Sequence, residues 1–90
     1  MLNRVYKVTK DTGLNARIAS ELVTLCSKFS SKITLNVKQI SVDFKSIMGV
    51  MSLNVQKGEF INVVVEGIDE NKAFDEIDLL IKELDLGKEY

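Results

Sequence analysis

The sequence predicts an α+β fold in which helices cover one face of an antiparallel sheet, in the order β-α-β-β-α-β-α. Three observations predict it. Four segments alternate apolar and polar side chains, the period of a strand with one dry face and one wet face. Two others space their apolar residues by three and four, the stripe of an amphipathic helix. Finally, 90 residues are expected to form one domain over residues 1–90 with one core and two layers at most, because a chain this short buries only about 60 to 65 per cent of its unfolded surface.

The elements follow in order. Leu2, Arg4, Tyr6 and Val8 mark a first strand that stops at Lys10-Asp11-Thr12-Gly13. Ala19, Leu22, Val23, Cys26 and Phe29 then form a helical stripe, with Asn15 placed as N-cap and an end expected near Ser30. Ile33, Leu35 and Val37, followed by Ile40, Val42 and Phe44, make a hairpin about Lys38-Gln39, although neither residue favours the positive φ of a tight primed turn. A short apolar helical stretch at 45–53 precedes Lys57-Gly58. Ile61, Val63 and Val65 form the next strand, which stops at Gly67. Asp69 is placed as cap of a last helix carrying Ala73, Phe74, Ile77, Leu80, Ile81 and Leu84, with Gly87 just beyond its end and Lys82 and Lys88 near its negative pole.

Composition narrows the chemistry. Ten lysines and two arginines stand among thirteen acids, a formal charge of −1, so no basic footprint for nucleic acid or anionic lipid is present. The single cysteine has no internal disulfide partner, no apolar run approaches the roughly 20 residues of a membrane span, and the N-terminus lacks a secretory h-region. A cytoplasmic protein is the expectation. There is no histidine, which removes the commonest general base, metal ligand and phosphoryl-carrying imidazole. No spacing of acids fits a metal loop, no glycine-rich loop fits a nucleotide, and no cofactor is expected.

Four stretches carry more than composition: TGLNAR at 12–17, KFSSKITL at 28–35, KSIMGVMSL at 45–53 and EGIDENKAFDEI at 66–77. By these the chain resembles HPr, the phosphocarrier family of the bacterial sugar phosphotransferase system. The resemblance implies an open-faced β-sandwich, three helices on a four-stranded antiparallel sheet of order 1-4-2-3. It also implies that position 15 should be the histidine that accepts phosphate from enzyme I; Asn15 stands there instead. A carboxamide nitrogen has no free lone pair at neutral pH, so Asn15 is a degenerate active-site position without acceptor chemistry. Ile18 likewise occupies the place of a family proline. In losing the histidine the chain is closest in character to the Crh branch, which acts in carbon catabolite control.

What the resemblance implies next concerns Ser46, the phosphoacceptor of HPr kinase/phosphorylase in that family, whose product binds a CcpA-type repressor. Beside this stands a plain alternative, that Ser46 is simply an N-cap, and the two are compatible. A helix of about one and a half turns cannot bury every side, so Ile47, Met48 and Met51 are expected to be at least partly exposed as partner-binding residues, with Val50 and Leu53 inward. Arg17, disfavoured by the dipole at a helix start, is the fourth candidate partner-binding residue. Cys26 is expected to be a buried small hydrophobe.

The sequence therefore points to a non-enzymatic regulator, a monomer or weak homodimer with no direct contact to nucleic acid or membrane. Two alternatives stand beside it. One is an inactive paralogue that docks enzyme I or sugar-specific enzymes as a competitor; the other is a structural module without kinase input.

Overall fold

The computed structural model describes residues 1–90. Its elements are β1 (Leu2–Val8), α1 (Ala16–Cys26), β2 (Lys32–Val37), β3 (Ile40–Asp43), α2 (Ile47–Ser52), β4 (Phe60–Glu66), α3 (Glu70–Glu83) and β5 (Gly87–Glu89). The sheet runs β3-β2-β4-β1-β5 with every pairing antiparallel. Its first four strands have the expected 1-4-2-3 order. The fifth was not anticipated.

Alternation decides which face is dry. Tyr6 and Val8 of β1, Ile33, Leu35 and Val37 of β2, and Ile61, Val63 and Val65 of β4 all point to the helices and are buried. The helices answer with Ile18, Ala19, Leu22 and Cys26 from α1 and Ala73, Phe74, Ile77 and Ile81 from α3. Cys26 is fully buried, and burial pushes its thiol up to about 12, so it packs as a hydrophobe. No helix is long and apolar enough to cross a membrane.

Three helix ends are made differently from the sequence expectation. Helix α1 stops at Cys26, not near Ser30, because the chain turns there and the hydroxyl and N–H of Ser27 both close onto the Val23 carbonyl. Phe29 stays buried, so its place in the apolar stripe reflects burial in the following loop and not another turn of helix. Asp69 begins α3 but makes no side-chain cap. Its carboxylate instead accepts from the N–H groups of Ser30 and Ser31, both at 2.9 Å, and from both serine hydroxyls. The capping duty passes to Glu70, whose Oε1 accepts the Gly67 N–H at 3.1 Å.

At the other end of α3 the left-handed residue is Asp85, φ 54°, so Gly87 is not the helix stop. Gly87 opens β5 and lies so close to β1 that an added Cβ would sit 2.5 Å from the Lys7 carbonyl oxygen. Lys88 belongs to this strand, leaving Lys82 as the cation of the last helical turn. A three-residue polar strand has no alternation to read. Its register is held from a distance, by Glu89 against Lys82 at 2.9 Å and Arg4 at 3.4 Å. Arg4 also lies over the Phe74 ring and meets Asp78, which accepts the Tyr6 hydroxyl at 2.5 Å.

The hairpin forms despite its turn residues. Lys38 and Gln39 adopt φ 52° and 67°, the two positive angles of a primed turn. The dry face of β2 fixes the register, and Lys38 Nζ reaches Glu59 Oε2 at 2.6 Å. Left-handed backbone costs an ordinary residue about 1 kcal/mol, so Gln39→Gly is expected to raise stability by roughly 0.5–1 kcal/mol in urea titration, the added unfolded-state freedom of glycine taking back part of the gain.

Asp69 makes stability depend on pH. The Ser31 hydroxyl and the Ser30 N–H hold its carboxyl down to about 2, below the usual carboxylate range. A folded-state pKa below the unfolded one contributes stability that is complete above the unfolded value and disappears as pH falls through the folded one. Thermal melts of Asp69→Asn should therefore lie below wild type at neutral pH, with the gap closing between about pH 4 and pH 2.

Candidate functional site

The segment at 45–53 is built from the turn that precedes it. The Asp43 carbonyl accepts the Ser46 N–H at 3.0 Å and its Oδ1 accepts the Lys45 N–H at 2.9 Å, which turns the chain out of β3. Lys45 then donates from its ammonium to the Phe29 carbonyl at 2.7 Å. A lysine bonded to a carbonyl sixteen residues away leaves no local pattern.

Ser46 is the N-cap of α2. Its backbone is extended, and its Oγ accepts the Gly49 N–H at 3.1 Å. The helix that follows is six residues long and buries one side chain deeply, Val50 at 1% exposure; Leu53 packs partly against the core. Ile47, Met48 and Met51 are 41%, 82% and 39% exposed. Water therefore meets a continuous apolar surface beside a serine hydroxyl.

Helix α1 lies in contact with α2 and carries the other candidates. Its entry is a tight loop. Gly13 has φ 64°, and a Cβ there would overlap the Val55 carbonyl oxygen, which accepts the Leu14 N–H at 3.1 Å. Both ends of the Asn15 amide are engaged: Oδ1 accepts the Ile18 N–H at 2.9 Å, and Nδ2 donates to Thr12 Oγ1 at 2.9 Å. The bond to Ile18 needs a residue other than proline at that position, since proline has no N–H to offer. Arg17 extends into solvent with its side chain 89% exposed, and its one ion pair is the 3.7 Å contact with Glu21 on its own helix. It makes a single contact there, not a bidentate one.

Residues 2–83 match the family model described as the PTS HPr component phosphorylation site. The chain belongs to the HPr family. Among solved structures it is similar to the histidine-containing phosphocarrier protein of a Mycoplasma, with TM-score 0.93, 32% identity, and 96% of this chain and 98% of that one covered. It is similar also to an HPr of Thermoanaerobacter tengcongensis, with TM-score 0.86, 38% identity, and 92% and 93% covered. Crh of Bacillus subtilis, described as a dimer with a swapping domain, aligns with TM-score 0.71 at 36% identity over 84% of this chain and 87% of that one. HPr and Crh proteins thus both lie among its neighbours.

The Ser46 cap has a measurable weight. Removing a serine N-cap costs about 1 kcal/mol, so Ser46→Ala should lose roughly that in urea titration while Ser46→Asp, a comparable cap with a charge favoured by the helix dipole, should keep most of it.

Proposed function

We propose that the protein is a non-enzymatic regulator of carbon catabolite control, phosphorylated on Ser46 by an HPr kinase/phosphorylase and then docking on a CcpA-type repressor. One observation carries this: in a family of phosphocarriers, a chain with no histidine keeps a half-buried serine hydroxyl at the N-cap position Ser46, flanked by exposed Ile47, Met48 and Met51. The kinase supplies the chemistry. Its ATP gives up the terminal phosphoryl group to Ser46 Oγ, ADP leaves, and the hydroxyl proton passes to a base of the kinase. The product carries nearly two negative charges beside an apolar docking surface, with Arg17 on the adjoining helix as a second contact for the partner. Lys45 is committed to Phe29, so the new charge stays open for a partner's cations.

A second reading has its own support. The 12–17 loop keeps a tight, capped form with Arg17 exposed, so docking to enzyme I or to sugar-specific enzymes as a competitor fits the same face. Asn15 has both polar atoms of its amide engaged in hydrogen bonds and no acceptor lone pair on nitrogen, so no phosphate should be taken up on this route.

Incubation with HPr kinase and ATP should add one phosphate, mapped to the peptide holding Ser46 and missing in Ser46→Ala. The phosphorylated chain should then bind the repressor more tightly than the unmodified one, and Met48→Ala should weaken binding about tenfold without loss of stability. No modification of Ser46 where a genuine HPr is modified would sink the regulatory reading. With enzyme I and labelled phosphoenolpyruvate the wild type should stay unlabelled. Label on Asn15→His, together with slowing of a genuine HPr by wild type, would favour the competitor.

A further inference from the structure

The open sheet face and the outer side of α3 lie on opposite sides of the two-layer fold, and each holds an unresolved electrostatic tension. On the sheet, Lys7 of β1 stands directly across from Lys88 of β5. Like charges in that position repel. Neither takes part in any of the molecule's ion pairs. Beside Lys7 in the neighbouring register is Phe60, and the Tyr90 ring, 85% exposed, meets Phe60 edge to face at 4.7 Å. The result is a small aromatic platform with the Lys7 ammonium over the Phe60 ring, 6.0 Å from its centroid, and Lys88 next to Lys7 on the far side from Phe60, neither lysine paired with a carboxylate.

The outer side of α3 carries the complement. Glu76, Leu79, Leu80 and Glu83 fall on one helix face at spacings of three and four, and with Leu25 of α1 they line a shallow groove of about 200 Å³. Leu79 is 56% exposed, and neither Glu76 nor Glu83 appears in an ion pair. Two carboxylates without an ion-pair partner thus line an aliphatic groove on one side of the molecule, while two ammoniums without a carboxylate partner lie side by side next to an aromatic pair on the other.

We propose that the chain associates with a second copy of itself head to tail, the Phe60–Tyr90 platform of one copy seating in the Leu25–Leu79–Leu80 groove of the next, with Lys7 and Lys88 facing Glu76 and Glu83. One chain carries both halves of the contact, which is what selects a second copy as occupant over another acidic protein. A net charge of −1 offers little general repulsion against it. The contact is heterologous, so it extends into short chains unless the rotation closes. It leaves Ser46, Met48 and Arg17 outside, so it stands whatever becomes of the kinase reading, and it would present several copies of that docking face together.

Sedimentation velocity and multi-angle light scattering on the full chain test this. The weight-average mass of wild type should rise with protein concentration and fall as salt is added. Lys7→Glu/Lys88→Glu and Glu76→Lys/Glu83→Lys should each stay monomeric alone, and their equimolar mixture should associate, since the swapped charges restore both contacts. General attraction between oppositely charged proteins is separated by Leu79→Ala, which leaves net charge unchanged on an exposed helix position and should weaken wild-type association about tenfold. A concentration-independent monomer, a Leu79→Ala variant that associates like wild type, or charge variants that still associate alone would each overturn the proposal.

Discussion

One constraint shapes the molecule: its sheet is dry on one side only. Every helix must then lie on that side, and the apolar rows of β1, β2 and β4 set where. Helices α1 and α3 are long enough, at 11 and 14 residues, to lay a full stripe on those rows. Six-residue α2 buries Val50 deeply and shows the remainder of its apolar side chains to water. The candidate docking surface is therefore what remains when a short amphipathic helix closes the end of a layer already filled by two longer ones.

A chain of polar contacts positions that surface. Asp69, at the start of α3, gathers the N–H and hydroxyl groups of Ser30 and Ser31. The preceding residue, Phe29, holds Lys45 by its carbonyl, and Lys45 is the neighbour of Ser46. Three elements far apart in sequence are joined through one carboxylate and one ammonium, each satisfied by partners that secondary structure leaves unpaired. The segment bearing Ser46 is set by α3 as much as by its own helix.

The start of α1 couples two neighbouring residues. The amide of Asn15 caps the Ile18 N–H, a donor that only a non-proline residue can supply, while the Ile18 side chain joins the core. Backbone and side chain of one residue thus serve the helix end and the packed layer together.

Element types and the dry face were legible because hydrophobic periodicity is a local property, recorded wherever one side of a strand or helix is buried. So were the Asn15 and Ser46 caps and the outward set of Ile47, Met48 and Met51, which follow from neighbours within one or two turns. Strand β5, the Asp69 clamp and the inward lysine at 45 were not, and the hairpin at Lys38-Gln39 was legible from its spacing but not from its turn residues. Each depends on a partner distant in sequence: Glu89 on Lys82 and Arg4, Asp69 on Ser30 and Ser31, Lys45 on Phe29, Lys38 on Glu59. The sequence by itself determined which faces had to be buried. Only the tertiary structure decided which polar groups would meet, because a hydrogen bond or ion pair is chosen by distance and direction, and residues far apart in the chain acquire those only when the layers have packed.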